Sequence, residues 1–361
     1  MSRLLLLCGV VIAVAISATA LAVAVGSGPT PPPKPLGEAV HDALSAPKVD
    51  GVSARIQLTN HLLEGANLAS GGGGEASQLS ASPLISGASG RLWIGTDGRA
   101  RLELQSEKGD TQILYDGKNV SMYDASTNTL YRVTPQQGSG ENSPTKSTDT
   151  THKIPTAAEI EEHIARASKH ADISGATPTD VAGQAAYTVR VSPKEDGGLI
   201  GGAELSWDAA HGSPLRAAVY STTSSSPVIE LAATEISYGP VDSSTLDFKA
   251  PADAKVQDVT LPAKPSAKPD ATASGEDKPK VTVHGKGLGA IVLAESPVKA
   301  GSKESGASQL EGLQQVDING TKASELPTQL GTVLSFERAG MRYLLVGSVT
   351  PSAIETFARG L

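Results

Sequence analysis

The sequence predicts an α+β chain of two domains in which antiparallel strands outnumber helices. Three observations carry this prediction. Segments of alternating apolar and polar residues are joined by Asp97-Gly98 and Asp116-Gly117, and Asp-Gly between such segments is typical of hairpins. Helical periodicity is confined to short segments. A stretch rich in Pro, Ala and Lys, residues 259–280, separates a long first domain from a small second one.

The composition argues against several classes of function. The chain has 361 residues, with 30 Lys and Arg against 38 Asp and Glu, so its formal net charge is −8, which disfavours general binding of nucleic acid. The single cysteine, Cys8, excludes an intramolecular disulfide and a cysteine-based zinc site. Neither the HExxH metal motif nor the GxSxG nucleophile motif occurs. We therefore predict no catalytic residue, metal ligand or cofactor.

The N-terminal residues predict export. Arg3 precedes the apolar segment 4–25, which is long enough to span a bilayer but also contains small-x-small cleavage patterns. Residues 1–28 are therefore either a signal peptide or a membrane anchor, and both alternatives stay open. In both cases we expect the rest of the chain on the outer side of the cytoplasmic membrane, anchored or secreted. Residues 29–35 are Pro-rich and predict a semi-rigid spacer.

The first domain is predicted to begin with a helix and two sets of strands. Residues 36–44 have apolar side chains at helical spacing, and residues 52–58 alternate as in a half-buried strand. Residues 90–133 contain about five alternating segments, which predicts an antiparallel meander with one covered face.

A second helix and a second meander complete this domain. Thr156 is followed three residues later by Glu159, which is the pattern of a capping box and predicts a helix over residues 156–170. Strand-like segments then recur between residues 186 and 248.

The C-terminal part, residues 281–361, is predicted to be a small α+β domain. It contains several strand-like segments and ends in an amphipathic helix that begins at Pro351. The Gly-rich segment 285–289 has no following helix, so we interpret it as a turn between two strands and not as a nucleotide-binding motif.

Several short motifs recur in a set order along the first domain. They are Gly90-Arg91-Leu92-Trp93, Asp116-Gly117 followed by Met122-Tyr123-Asp124, Trp207-Asp208, and the closing Leu246-Asp247-Phe248 and Pro251-Ala252-Asp253. On these motifs residues 36–258 resemble the LolA/LolB lipoprotein-carrier superfamily. The addition of a small C-terminal domain makes the layout similar to the RseB/MucB regulators of envelope-stress sigma factors.

The resemblance implies an incomplete, strongly curved antiparallel β-barrel, or half-barrel, plugged by short helices. It also implies a hydrophobic cavity that holds an acyl chain or an apolar peptide, which is favourable because each buried methylene contributes about 0.8 kcal/mol. As lining residues we predict apolar or aromatic side chains on the alternating strands: Trp93, Leu102, Leu104, Leu114, Met122, Tyr131, Tyr187, Leu205, Trp207, Leu215 and Ile229.

Three functions remain open at this stage. The first is a non-enzymatic carrier that binds the acyl chain of a lipid or lipoprotein. The second is a regulator in which both domains hold a membrane protein, such as an anti-sigma factor. The third is an extracytoplasmic binding module with a structural role and no specific cargo.

Overall fold

The fold is α+β and consists mostly of strands, as the sequence predicts. The structure is a computed structural model that describes residues 28–64, 83–107, 109–135, 154–194, 198–261, 280–298 and 313–361. The apolar segment 4–25, on which the signal or anchor was predicted, lies outside these residues. Among the described residues no helix is long and apolar enough to cross a membrane.

Thirteen strands form one large sheet. Within the sheet the strands are paired in the order β13-β6-β5-β4-β3-β2-β1-β12-β11-β10-β9-β7, and β8 also pairs with β9. The strands are β1 Gly51–Asn60, β2 Ala88–Gly95, β3 Ala100–Ser106, β4 Gly109–Tyr115, β5 Val120–Asp124, β6 Thr129–Pro135, β7 Ala171–Ile173, β8 Thr177–Val181, β9 Gln184–Pro193, β10 Ile200–Asp208, β11 Pro214–Ser221, β12 Pro227–Tyr238 and β13 Lys255–Leu261.

The large sheet is curved and open. All its pairs are antiparallel except that of β13 with β6, and in the described part of the chain β13 does not pair with β7 at the opposite end. The sheet is therefore not closed into a barrel. Strand β13 was not predicted, and it continues to Leu261, into the segment 259–280 that the sequence marks as a linker.

The two faces of the large sheet differ in what covers them. On one side, here called the helix face, side chains of β9 and β10 pack against α1 (Leu36–Ser45) and α3 (Ala157–Ala167), and those of β1 to β3 pack near α2 (Pro83–Ser86). The opposite side, the outer face, is covered near β2 and β3 by α4 (Ser243–Leu246). The helix face therefore carries most of the apolar core.

Local sequence signals explain several of these elements. Thr156 caps α3, with the reciprocal bonds to Glu159 that define a capping box, so this prediction is confirmed. Gly98 and Gly117 have φ angles of 80° and 95° and sit in the predicted hairpin turns, where glycine adopts a left-handed conformation without a steric penalty.

Gly212 fixes the turn between β10 and β11 against α1. Its φ angle is 66°, and a Cβ atom at this position would lie 2.2 Å from the carbonyl oxygen of Ala43. Only glycine allows this approach, because the obstructing atom belongs to the backbone. The turn therefore holds the end of α1 close to β10.

The predicted Pro-rich spacer is attached to the first domain. Pro31 is buried, the carbonyl oxygen of Pro32 accepts a hydrogen bond of 2.6 Å from the hydroxyl of Tyr187, and Lys34 forms a β-bridge with Ala176. Residues 31–34 therefore lie along β9 and are packed against the first domain.

A second sheet of six strands forms the C-terminal part, in the order β14-β15-β19-β18-β17-β16. The segment 287–289 is a short 3₁₀ turn between β14 and β15, and the terminal helix α5 begins at Pro351, so both predictions are confirmed. The elements are β14 Lys280–His284, β15 Ile291–Pro297, β16 Gln314–Ile318, β17 Thr321–Thr328, β18 Gly331–Arg338, β19 Met341–Gly347 and α5 Pro351–Arg359.

One face of the small sheet has a closed apolar core. Leu334, Leu345 and Ile354 are fully buried between the sheet and α5. The two sheets meet through backbone hydrogen bonds, in which Gln329 donates to Leu62 at 3.0 Å and Leu199 donates to Ser348 at 2.8 Å. The small domain is therefore in contact with the ends of β1 and β10.

Candidate functional site

The apolar core on the helix face is divided into two clusters in the described part of the chain. The first joins α1 to β9 and β10 through Tyr187, Leu205 and Trp207. The second joins β1, β2 and β3 through buried side chains that include Leu58 and Leu104. Because β11 and β12 lie between β10 and β1, the two clusters are separated by two strands.

The separating strands carry apolar side chains that belong to neither cluster. Ala217, Val219 and Ile229 all point to the helix face and are partly exposed. Ala217 pairs with Leu205 on one side and with Leu231 on the other, so the smallest side chain stands between two large ones. Together with Leu205 and Leu231 these residues form an apolar strip on the helix face, low at Ala217, which is here called the helix-face groove.

The dimensions of the helix-face groove follow from the spacing of strands. Neighbouring strands lie about 4.8 Å apart, so Leu205 on β10 and Leu231 on β12, which form the two walls on either side of Ala217, are separated by roughly 10 Å. The floor and walls contain only aliphatic side chains. A groove of this width and composition suits a hydrocarbon chain better than a polar or charged ligand.

A charged network lies behind the same strands, on the outer face. The carboxylate of Glu204 accepts bonds from Arg190 at 2.7 Å and from Arg216 at 3.3 Å, and it also accepts one from the hydroxyl of Tyr220. Arg216 donates in addition to Glu230. This network connects β9, β10, β11 and β12 at the place where the helix face lacks a continuous core.

The centre of the network, Glu204 and Tyr220, is desolvated. Glu204 is 5% exposed and Tyr220 is 5% exposed. Burial, together with the hydrogen bond to Glu204, raises the pKa of Tyr220 to about 12. Tyr220 therefore remains a neutral donor to the carboxylate across the physiological range of pH.

Trp207 lies at the end of the first cluster. The ring is 4% exposed and its centroid is 6.1 Å from that of Tyr187. Its indole Nε1 is buried and makes no hydrogen bond within the described residues. A buried donor without a partner is unfavourable and is normally satisfied by an acceptor.

The eleven residues predicted to line a cavity do not come together in one place. Eight point to the helix face: Leu102, Leu104, Met122, Tyr131, Tyr187, Leu205, Trp207 and Ile229. Of these, Ile229 and Leu205 border the helix-face groove, whereas Leu104 is 1% exposed within the second cluster. Met122 and Tyr131 lie farther along the sheet, on β5 and β6.

Trp93 and Leu114 point to the outer face. Trp93 pairs with Ser53 and Arg101, and Leu114 pairs with Arg101 and Ser121. Both residues stand in runs of consecutive apolar residues, so alternation alone could not assign their side. Because successive side chains point to opposite faces, neither can line a cavity on the face of Leu104.

Leu215 belongs to a third cluster. The register between β10 and β11 shifts at this position, which leaves Leu215 without a partner opposite it. It packs with Val181 and Ala186. A register shift of this kind turns one side chain away from the regular alternation, and no sequence signal predicted it here.

The sequence did not lead us to predict Ala217 and Val219, the residues on the floor of the groove, as site residues. Ala217 and Val219 were within a predicted strand, but a small residue gave no reason to choose it over its neighbours. The available signal was the alternation from Ala217 to Val219 and its match with Leu231 and Ile229 on the next strand. That match depends on the register, which the sequence does not fix.

The outer face contains a polar depression of about 280 Å³. Arg55 and Glu235 form an ion pair of 3.2 Å at its edge, and Arg91 and Trp93 contribute to its lining. Both members of the ion pair are more than half exposed.

In the described part of the chain no group of three or more His, Cys, Asp or Glu could hold a metal ion.

Comparisons with known proteins give structural neighbours and no sequence relatives. No protein-family model matches the chain, and no curated protein matches it. MucB in complex with MucA(peri) is 14% identical, covers 90% of this chain and 94% of that chain, and has a TM-score of 0.42. The MucA/MucB complex of Pseudomonas aeruginosa is also 14% identical, with 90% and 96% coverage and a TM-score of 0.43.

A LolA superfamily protein from Nitrosomonas europaea is 8% identical, with 87% and 91% coverage and a TM-score of 0.19. The structural neighbours of this chain thus include MucB and LolA superfamily proteins, the two groups that its motifs resemble.

Proposed function

We propose that the protein is an extracytoplasmic, non-enzymatic binding protein that holds the acyl chain of a lipid or lipoprotein in the helix-face groove. One observation carries this proposal: the apolar core of the helix face is interrupted at β11 and β12, where Ala217, Val219 and Ile229 remain partly exposed. An acyl chain laid between the two clusters would make that core continuous.

The energetics favour a long hydrocarbon ligand. Each methylene removed from water contributes about 0.8 kcal/mol, so eight methylenes would contribute roughly 6 kcal/mol before the entropy of ordering is subtracted. The groove offers no charged group on its floor, so specificity for a headgroup has to come from its ends. The indole Nε1 of Trp207 is a donor that the carbonyl oxygen of an acyl ester could satisfy.

Native mass spectrometry tests this proposal on the chain as it occurs in its own membrane fraction, purified in detergent. We expect a diacyl lipid or lipopeptide bound at close to one per chain, which lipid extraction then releases and identifies. A protein that carries no acyl species, and that takes up none from added phospholipid vesicles, would contradict the proposal.

A second candidate function is regulation through protein contacts, in the manner of the RseB/MucB group. The small domain favours it, because an acyl carrier needs only the groove, whereas here a second sheet is held against β1 and β10. In this alternative the two domains together hold a membrane protein, such as an anti-sigma factor, on the outer side of the cytoplasmic membrane. Crosslinking in the native membrane, with deletion of residues 281–361 as the control, separates it from the carrier.

A further inference from the structure

The small sheet has an apolar face opposite α5 that no helix or strand of the described residues covers. Val283, Val292, Val346, Val333 and Leu326 are in register across five strands and form one continuous aliphatic row. Beside it, Val281 pairs with Ala294 and then with Leu344. A contiguous apolar face of this kind on a soluble domain usually marks an interaction surface.

Exposure along this row is highest at one edge of the sheet. Leu326 and Val333 are partly buried, Val346 and Val292 are 43% and 38% exposed, and Val283 on β14 is 64% exposed. Val281, also on β14, is 57% exposed. The face is therefore most open at β14, so its occupant is expected at that edge.

Strand β14 is an edge strand. It pairs with β15 on one side, and no described residue pairs with it on the other. Every second N–H and C=O group of Lys280–His284 therefore points outward and can bond to an added strand. A lipid surface is a poor occupant, because hydrocarbon would leave these backbone groups without hydrogen bonds.

The charges near β14 define the partner further. Lys280 is already paired with Glu295 on β15 at 2.9 Å, whereas Lys286 makes no ion pair in the described part of the chain. A second copy of residues 280–289 contains no acidic side chain to offer Lys286, whereas an acidic partner would be attracted.

The side of β14 that faces α5 carries the polar side chains of Thr282 and His284. The ring of His284 lies 4.8 Å from that of Phe357, and Thr282 is hydrogen-bonded to His284 at 3.0 Å. An added strand would therefore meet a polar surface on this side and open aliphatic side chains on the other.

We propose that β14 is a docking site for an extended segment of another protein, which adds as a further strand and packs alternate aliphatic side chains against Val281 and Val283. An acidic residue at the end of that segment would face Lys286. Main-chain bonds supply part of the affinity, and the alternating side chains supply the specificity. This inference does not depend on the helix-face groove.

The test uses the chain without residues 1–28 and an acetylated, amidated peptide of sequence Asp-Val-Thr-Val-Thr-Val-Asp. We expect binding by calorimetry, with slower amide hydrogen exchange over residues 280–284. The double variant V281T/V283T replaces one methyl group with a hydroxyl at each position and should weaken binding by at least about tenfold. Val256→Thr is the matched control, because Val256 is 50% exposed on the edge strand β13 and should leave the affinity unchanged.

Three results would overturn the inference. The peptide could fail to bind at millimolar concentration, it could bind V281T/V283T as well as the parent chain, or the protection could appear away from β14. Sedimentation equilibrium without peptide is the further check, because self-association that V281T/V283T abolishes would identify a second copy as the occupant.

Discussion

Replacement of Ala217 by Phe is expected to abolish most acyl binding while the protein remains folded. Ala217 lies between Leu205 and Leu231 on the floor of the helix-face groove and is partly exposed, so a phenyl ring can enter the space without displacing a packed side chain. A ring that displaces about three methylenes of the ligand removes roughly 2.4 kcal/mol, or about fiftyfold in affinity.

The effect of Ala217→Phe on the free energy of unfolding distinguishes an open groove from a packed core. If the groove is open, Ala217→Phe should leave the free energy of unfolding unchanged or raise it, because new apolar area is buried. In a filled core the same change would destabilise the protein by about 1–3 kcal/mol. Ser237→Phe is the control: Ser237 is exposed on the outer face of β12, and this variant should bind acyl chains normally. Unchanged binding by Ala217→Phe would contradict the placement of the site.

Replacement of Glu204 by Ala is expected to destabilise the large sheet by about 3–5 kcal/mol. Glu204 is 5% exposed and accepts bonds from Arg190, Arg216 and Tyr220. Its removal leaves Arg216, whose side chain is 14% exposed, with a single carboxylate partner. The cost arises mainly from desolvated donors that lose their acceptor.

Urea unfolding followed by tryptophan fluorescence measures this effect, because both tryptophans belong to the large sheet. Glu235→Ala is the matched control. It removes a carboxylate from the exposed ion pair with Arg55, and such pairs contribute less than about 1 kcal/mol. Equal effects of the two variants would show that the Glu204 network does not hold β9 to β12 together.

The helix face and the outer face of these strands thus have different roles. On β10, Leu205 faces the groove while Glu204 faces the network, and on β12 Ile229 and Leu231 alternate with Glu230. A sheet that leaves apolar side chains uncovered on one face has less packing to hold it. The network on the other face joins β9, β10, β11 and β12 and so compensates for part of this loss.

Local signals made most of the fold predictable. Asp97-Gly98 and Asp116-Gly117 mark turns because glycine there adopts a positive φ, and Thr156 with Glu159 marks the start of α3 because both bonds of a capping box are local. The parallel pairing of β13 with β6 was not predicted, because it joins segments far apart in the chain.

The candidate site was harder to predict because it depends on the register of the strands. Trp93 stands between two other apolar residues, so its side of the sheet is decided by its pairing with Ser53 and Arg101. Ala217 becomes a floor residue only because Leu205 and Leu231 are its neighbours across the sheet. Neither fact can be read from alternation within one segment.

The two tryptophans lie on opposite faces of the large sheet and provide the most direct test of the proposed groove. Trp93→Phe leaves Trp207 as the only tryptophan, beside the groove, and Trp207→Phe leaves Trp93 on the outer face. Each variant is titrated with stearic acid brominated at the middle of its chain, and with unbrominated stearic acid as the control, after circular dichroism has confirmed its fold.

We predict that the brominated acid quenches Trp207 in a saturable manner, whereas Trp93 keeps its fluorescence. Saturable quenching of Trp93, or the absence of quenching at Trp207, would contradict an acyl site on the helix face.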